Sequence, residues 1–371
     1  MPLFWCDPVY LLVMAVVGVL LFGALRVLLR AMQRRRLSGA TAGGGKLKLG
    51  MAVWLAVTTL YAVELSFAAF VEFTDAFSAT NISDRWFARY IEPFRNKDGF
   101  RDRREFVKGE HPDSTDVYFF GDSFTIGQGI ESMDDLFVVR AEKLINTRAA
   151  AGQNEVRTFN AAEFGWEVSI VQGMLRGFLQ KQVRPDIVVY VFMLNDIEGY
   201  DPRTEELIEQ VQREEPQLWL WSRTYFFNWL YFRWQQSRAN RTVEYFPHLA
   251  DSYRGDAWNG VTGKLTQMKA DCEATGAELR IVAFPFLHNL GPDYEFLHAH
   301  QLLKEFCETS NIRFLDLEPV LTPLADQELT VNRFDNHPNE FCHKVVAAAI
   351  ADQLLSDLPV STAKPSETSD E

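Results

Sequence analysis

The stretch Val117-Tyr118-Phe119-Phe120-Gly121-Asp122-Ser123-Phe124-Thr125-Ile126-Gly127 predicts a buried strand that ends in a turn carrying an exposed serine. A short apolar run bounded by glycine is typical of a strand that is covered on both faces. A serine hydroxyl becomes a nucleophile only when a base and an oxyanion hole are assembled around it. On its own, a Gly-Asp-Ser turn is also typical of a helix that begins with an N-capping residue.

Further apolar runs alternate with amphipathic segments along the chain, a pattern that indicates repeated βα units. The predicted strands are 117–120, 156–159, 187–192, 279–284 and 314–317. The predicted helices lie near 135–147, 169–182, 260–274, 294–309 and 338–355. We therefore predict an α/β fold with a doubly wound, parallel, five-stranded sheet. Chemistry in such sheets collects at the carboxyl ends of the strands, and Ser123, Gly165 and Asn195 each follow a predicted strand closely.

Two of these residues are candidate donors to an oxyanion near Ser123. Asn195 can direct its side-chain amide at an oxygen bound there, since its strand is expected to neighbour the serine strand. Gly165 can bring a backbone N–H to the same point without a Cβ in the way.

The segment Asp335-Asn336-His337-Pro338-Asn339 supplies a candidate base, His337. Asp335 is placed to orient its imidazole and to stabilise the imidazolium that forms during attack. Pro338 suits the first turn of a helix, so we expect a loop at 335–337 followed by the last helix. The structural alternative is that Asp335 or Asn336 only caps this helix.

Four blocks, in this order, resemble the signature blocks of the SGNH (GDSL-type) hydrolases: Gly121-Asp122-Ser123-Phe124, Gly165, Leu194-Asn195-Asp196 and Asp335-Asn336-His337-Pro338-Asn339. The resemblance covers residues 116–357 and implies a flavodoxin-like fold and a Ser-His-Asp esterase, with no cofactor or metal. The roles it implies are nucleophile for Ser123, base for His337, acid for Asp335, and oxyanion-hole donors for Ser123, Gly165 and Asn195. Asp122 and Asp196 are expected to support the site.

The chain departs from the family pattern in two places. The acid commonly stands three residues before the histidine, whereas position 334 is Phe and the acid here is Asp335, a shorter spacing that also occurs among family members. The second block, 160–165, matches loosely. Upstream, 96–102 resembles a lead-in of membrane-anchored or exported bacterial members and is expected to pack beside the catalytic domain. The alternative is an Asp-Gly turn in a linker.

Two apolar stretches, 9–29 and 49–71, are each long enough to cross a bilayer. The loop between them carries six Lys or Arg residues and no acid, which predicts a cytoplasmic loop by the positive-inside rule. The N-terminus and the catalytic domain are then extracytoplasmic, in a bacterial inner membrane. A cleaved signal peptide is the alternative for the first stretch, but its basic residues follow the apolar run instead of preceding it.

Two further features have a structural and a functional interpretation. Glu64 lies inside the second apolar stretch and is a functional candidate, because a carboxylate is costly in a bilayer. The structural interpretation is that it lies near the outer interface or pairs with polar groups of the first span. The aromatic segment 218–234 either rests on the outer leaflet or packs on the sheet and on 96–106.

Composition narrows the function classes. The chain has a net charge of −13, of which residues 1–63 contribute +6, so the rest of the chain carries −19. An acidic body argues against nucleic-acid binding, because that requires a basic face. The four cysteines favour buried thiols over one disulfide among Cys272, Cys307 and Cys342. Cys342 and His343 near His337 are too few ligands to predict a metal site.

The predicted organisation is a membrane anchor at 1–75, a connecting segment at 76–115, a hydrolase domain at 116–357 with an aromatic insertion at 203–258, and a disordered acidic tail at 358–371. The favoured function is an extracytoplasmic esterase for acyl groups on envelope glycans or lipids. The alternatives are an acyltransferase that uses the same triad, and a catalytically silent binding module. The sequence names no protein partner.

Overall fold

The computed structural model of the chain describes residues 5–39, 44–77, 79–106, 108–109, 111, 113–148, 154–204, 216–238 and 242–358. The predicted acidic tail lies outside these residues, apart from position 358. The chain divides into two compact units, Met1–Arg89 with Glu214–Arg238, and Tyr90–Arg213 with Ala239–Glu371.

The first unit is helical. Its helices are α1 (Pro8–Ser38), α2 (Gly44–Phe70), α3 (Asn81–Tyr90), α7 (Trp219–Ser222) and α8 (Phe226–Arg238). By length and composition, α1 and α2 can each cross a membrane. Two side chains of α2 tie them together, because the Trp54 indole N–H donates to the Leu21 carbonyl at 2.8 Å and the Tyr61 hydroxyl to the Met14 carbonyl at 2.9 Å.

The aromatic segment belongs to this helical unit. The Phe67 ring of α2 lies 5.0 Å from the Phe226 ring and 5.5 Å from the Trp229 ring of α8, centroid to centroid. The aromatic segment therefore contacts the second apolar stretch, a partner that neither interpretation of this segment named.

The second unit contains the sheet. Its strands are β1 (Ser114–Gly121), β2 (Glu155–Ala162), β3 (Ile187–Met193), β4 (Glu278–Phe284) and β5 (Arg313–Asp316), with a two-stranded ribbon of β6 (Thr330–Asn332) and β7 (Asp335–Pro338). Its α-helices are α4 (Ser123–Ile126), α5 (Phe137–Arg148), α6 (Val168–Gln180), α9 (Thr242–Ser252), α10 (Ala257–Glu273), α11 (Leu297–Thr309), α12 (Glu318–Leu321) and α13 (Glu340–Ala349). Short 3-10 segments cover Glu92–Phe94, Met133–Asp135, Leu194–Tyr200 and Thr322–Leu324, and a π-helical turn, Ile350–Leu354, follows α13.

The strands pair in parallel in the order β2-β1-β3-β4-β5. This is the flavodoxin-like order, so the predicted fold class is confirmed. Alternate residues of β1 enter different cores. Tyr118 and Phe120 pack with α6, α10 and α11, whereas Val117 and Phe119 pack with α5 and α13. Burial on both faces explains why the central strands have uninterrupted apolar sequences.

The four cysteines are buried free thiols. The buried-thiol interpretation therefore agrees with the structure, and the disulfide among the last three does not.

Candidate active site

Ser123, His337 and Asp335 form one hydrogen-bonded chain. The Asp335 carboxylate can only accept, so the 2.5 Å contact between its Oδ1 and His337 Nδ1 places the imidazole proton on Nδ1. Nε2 is then the acceptor for the Ser123 hydroxyl, at 2.7 Å. The His337 ring also packs against the Phe124 ring, with the centroids 5.0 Å apart. The hydroxyl therefore faces a base whose tautomer and orientation are both fixed.

Ser123 stands at the carboxyl end of β1, as the first residue of the single turn α4. Asp122 is the N-cap of this turn and accepts from the Phe124 N–H at 2.9 Å. A Cβ at Gly121 would stand 2.2 Å from Thr125 Oγ1 and 3.1 Å from the Val191 carbonyl oxygen, so the turn requires glycine there. Burial raises the pKa of Asp122 to about 6, against the opposing effect of the hydrogen bond from the Phe124 N–H.

The segment that carries His337 differs from the expected loop. Residues 335–338 form β7, which pairs antiparallel with β6, so Pro338 lies in a strand and not in the first turn of a helix. The last helix begins at Glu340, and the Asn339 side chain caps it by accepting from the Cys342 N–H at 2.9 Å. Neither Asp335 nor Asn336 is the helix cap, so the capping alternative for these two residues is wrong.

A residue that the sequence did not indicate supports the acid. Gln128 is buried, and its Nε2 donates to Asp335 Oδ2 at 3.2 Å, on the oxygen that His337 does not use. The loop that carries Gln128 is held by the buried guanidinium of Arg101, which donates to the carbonyls of Ile126, Gly127 and Ile130 at 3.1, 2.8 and 2.6 Å.

Arg101 belongs to the upstream lead-in. Its neighbour Phe100 is also buried, and the Phe100 ring lies 5.5 Å from that of Phe178. Burial lowers the pKa of Arg101 to about 9. The segment 96–102 thus packs within the sheet-containing unit. The sequence signal for this packing was the resemblance of 96–102 to a lead-in segment.

The expected oxyanion donors flank the serine strand. Gly165 follows β2 by three residues and Asn195 follows β3 by two, and β1 lies between those two strands. Gly165 has φ +67°, a left-handed conformation that favours glycine, while a Cβ there would meet nothing within 4 Å. Glycine is therefore needed for its backbone conformation and not to avoid a clash. Asn195 Oδ1 is buried and has no hydrogen-bond partner among the described residues.

Asp196 shapes the turn that presents Asn195. Its Oδ2 accepts from the Tyr190 hydroxyl at 2.5 Å and from the Met193 N–H at 3.0 Å. Burial, reinforced by the charge of Asp122, raises the pKa of Asp196 well above its usual range. The Tyr253 hydroxyl fixes the same turn by donating to the Leu194 carbonyl at 2.6 Å. Asp196 therefore acts on the backbone and not on the serine.

His343, considered above as a metal ligand, has another hydrogen-bond partner. His343 Nδ1 accepts from the Phe137 N–H at 2.9 Å. In the described part of the chain, no group of three or more His, Cys, Asp or Glu side chains is placed to hold a metal ion.

Comparison with known proteins gives a likeness in structure only. No family model and no curated protein matches the chain. Among solved structures, it is similar to a lipolytic protein of the G-D-S-L family from Veillonella parvula, with 13% identity and a TM-score of 0.41 over 64% of this chain and 97% of that one. It is also similar to a catalytic mutant of an acetylxylan esterase from Geobacillus stearothermophilus, with 13% identity and a TM-score of 0.41 over 70% of this chain and 100% of the other.

A psychrotrophic esterase from Pseudoalteromonas is similar as well, with 14% identity and a TM-score of 0.40 over 66% and 98% of the two chains. At these TM-scores, the activities of those proteins are no guide to the activity of this chain. Its function has to be argued from its own residues.

Proposed function

We propose that this chain is a membrane-anchored serine esterase that works through an acyl-serine intermediate. The observation that carries the proposal is the hydrogen-bonded chain from Ser123 through His337 to Asp335 at the carboxyl end of a parallel sheet. A buried Asp, a histidine with its Nδ1 proton directed at that Asp, and a serine on Nε2 are the arrangement that activates a hydroxyl.

In the proposed reaction, Ser123 Oγ attacks the ester carbonyl while His337 Nε2 takes the hydroxyl proton. The Asp335 carboxylate stabilises the imidazolium. The negative charge on the former carbonyl oxygen is stabilised by the N–H groups of Ser123 and Gly165 and by the Asn195 amide. The tetrahedral intermediate then collapses, and His337 returns its proton to the leaving alcohol. Water attacks the acyl-serine by the same steps and releases the acid.

The substrate class and the location rest on the helical unit. A basic loop between two spans is typical of the cytoplasmic side, so the chain that follows α2 is extracytoplasmic in this proposal. Ester substrates on that side include the O-acyl groups of envelope glycans and lipids.

The test uses the full-length chain in detergent micelles. Ser123→Ala is expected to lower the turnover of a short-chain ester roughly 10³- to 10⁶-fold and to abolish labelling by a fluorophosphonate, because the Ser123 hydroxyl forms the acyl-enzyme in this proposal. Ser310→Ala is the control, since Ser310 caps α11 three residues before β5 begins, at the amino end of that strand. Labelling of Ser123→Ala at the rate of the parent chain would refute the proposal.

The acceptor of the acyl group separates hydrolysis from transfer. Both reactions pass through the same acyl-serine, so product analysis with an acyl donor and envelope glycans decides between them. Free acid as the product agrees with an esterase. Acylated glycan would instead identify a transferase.

A further inference from the structure

Glu64 is a buried carboxylate with four hydrogen-bond donors. It lies in α2 and is 1% exposed. Its Oε1 accepts from the Tyr10 hydroxyl at 2.9 Å and from the Tyr225 N–H at 2.7 Å, and its Oε2 accepts from the N–H groups of Phe226 and Phe227 at 2.9 and 3.4 Å. Each carboxylate oxygen therefore has two hydrogen-bond donors as partners.

Three of these four donors are the backbone N–H groups at the start of α8. The first N–H groups of a helix have no partner within it, and the helix dipole favours an anion at that end. Glu64 therefore caps α8 from another helix. It satisfies N–H groups that would otherwise be unpaired in an apolar environment, where each would be costly.

Two further contacts hold the same turn. The Phe67 ring, three residues after Glu64 in α2, packs on Phe226 and Trp229 at 5.0 and 5.5 Å. The Arg85 guanidinium lies 4.4 Å from the Tyr225 ring centroid.

Arg85 in turn joins α3 to the end of α2. Its guanidinium donates to the carbonyls of Ala68 and Val71 at 2.6 and 2.5 Å. Three side chains of the same unit therefore contact the start of α8: the carboxylate of Glu64, the ring of Phe67 and the guanidinium of Arg85.

The position of Glu64 sets the depth of α8. Glu64 precedes Phe70, the last residue of α2, by six residues. At about 1.5 Å per residue, its carboxylate lies about 9 Å inside the end of that helix. If α2 crosses the bilayer, α8 begins at the level of the outer membrane boundary and not in the water beyond it.

The exposed side of α8 has the composition of an interfacial helix. Leu230 and Trp234 are 41% and 50% exposed, and since they are four residues apart they share one face. Arg233, between them, is exposed as well. In the preceding α7, Trp219 and Leu220 are also exposed. Tryptophan and arginine beside leucine are typical of the boundary between acyl chains and headgroups.

We propose that α7 and α8 form a membrane-surface element that contacts the lipids of the outer leaflet, and that Glu64 is the residue that holds it there. The occupant of the exposed face is lipid because α8 packs on α2 through Glu64 and Phe67, near the end of a helix that is long and apolar enough to cross a membrane. The inference rests on insertion of those two helices and is independent of the acyl chemistry.

The first experiment measures depth. The full-length chain is reconstituted in vesicles of phosphatidylethanolamine and phosphatidylglycerol, with a nitroxide on Leu230→Cys or Trp234→Cys. The native cysteines are buried and are not expected to compete for the label. Val19→Cys, on the exposed side of α1, is the lipid reference, and Gln301→Cys, exposed on α11, is the comparison position in the second unit.

Collisions with oxygen, which concentrates in lipid, are expected to exceed collisions with a water-soluble nickel chelate at 230 and 234, as at position 19. A dominant nickel effect at both positions would overturn the proposal. So would spin–spin broadening between copies, which would show that a second chain covers this face.

The second experiment tests Glu64 with the nitroxide at 234. Glu64→Ala removes the acceptor for the three backbone N–H groups and is expected to increase both label mobility and nickel accessibility. Tyr10→Phe, which removes only one of the four donors, is the mild control and is expected to leave both near the parent values. Thermal unfolding of each variant reports separately that the chain is folded. An unchanged spectrum in Glu64→Ala would refute the role of Glu64.

Discussion

Gln128→Leu is expected to slow the chemical step without weakening substrate binding. The substitution keeps the approximate size of the side chain and removes the hydrogen bond from Nε2 to Asp335 Oδ2, which is 3.2 Å long and buried. Asp335 Oδ1 keeps its contacts with the Nδ1 and the backbone N–H of His337, at 2.5 and 3.1 Å. The acid therefore remains present but is less firmly oriented.

The size of the effect follows from the kind of bond that is lost. A hydrogen bond to a charged group contributes about 1.5–3 kcal/mol, and about 1.4 kcal/mol corresponds to a tenfold change in rate. If most of this loss falls on the transition state, where Asp335 faces an imidazolium, kcat should fall roughly 10- to 100-fold. KM should change little, because Gln128 is buried beneath the site.

The chain offers a matched control in Gln172. This glutamine is also buried, and its Nε2 donates to an aspartate, Asp271 Oδ2, at 2.9 Å, on α6 instead of beside the triad. Gln172→Leu should lower Tm by an amount similar to Gln128→Leu and leave kcat unchanged. Steady-state kinetics on a short-chain ester, with thermal unfolding of all three proteins, provide the comparison. Equal kcat values in the two variants would show that Gln128 has only a structural role.

Three further perturbations test the support of the site and the fold. Arg101→Met leaves three buried carbonyls without their donor and should destabilise the protein by about 3 kcal/mol or more, seen as a lower Tm; an unchanged Tm would contradict the clamp. Burial raises the pKa of Asp122 to about 6, whereas its pKa in the unfolded chain is about 4. Between these two pH values, the Asp122 carboxyl is protonated in the folded chain and ionised in the unfolded chain. Stability should therefore fall as pH rises from about 4 to 6, and Asp122→Asn should reduce that slope in pH-dependent unfolding; an identical slope would count against the shifted pKa. A chain that begins at residue 76 lacks Glu64 and Phe67, exposes Phe226 and Trp229, and should aggregate in size-exclusion chromatography; a stable monomer would show that α8 needs neither partner.

The sheet could be predicted because its signal is local. Each central strand is buried on both faces, so it appears as an apolar run that ends at a glycine or a polar turn, and the parallel order brings these ends to one edge. The placement of Asn195 on a strand adjacent to the serine strand followed from the same reasoning.

Pairing of Glu64 with a polar group of the first span was one expectation, and Tyr10 of α1 is such a group. The backbone partners of Glu64 and the contact of Gln128 could not be predicted because these partners carry no sequence signal. Glu64 binds backbone N–H groups 161 to 163 residues away, and any residue type could supply them. Gln128 lies in a short loop after the serine and meets Asp335 across 207 residues. A lone buried glutamine has no periodicity or motif that distinguishes it from a core residue.

The first residue of the last helix was misplaced because two local preferences compete at 335–339. Proline is favoured in the first turn of a helix, which predicts that the helix begins at Pro338. Asn339 is as good an N-cap as Asp335 or Asn336. When Asn339 is the N-cap, the helix begins after it, and the residues before it can form a strand. The pairing of β7 with β6 supplies the tertiary contact that favours the second outcome.

This strand also explains the short spacing between acid and base. Side chains in an extended backbone alternate between its two faces, so residues two apart point to the same side. Asp335 and His337 are buried on one face of β7, while Asn336 between them is exposed. Their separation lets one carboxylate oxygen reach both the Nδ1 and the backbone N–H of His337. Phe334 lies in the turn before β7, outside the strand. The two-residue spacing of acid and base and the strand at 335–338 are therefore two consequences of one local conformation.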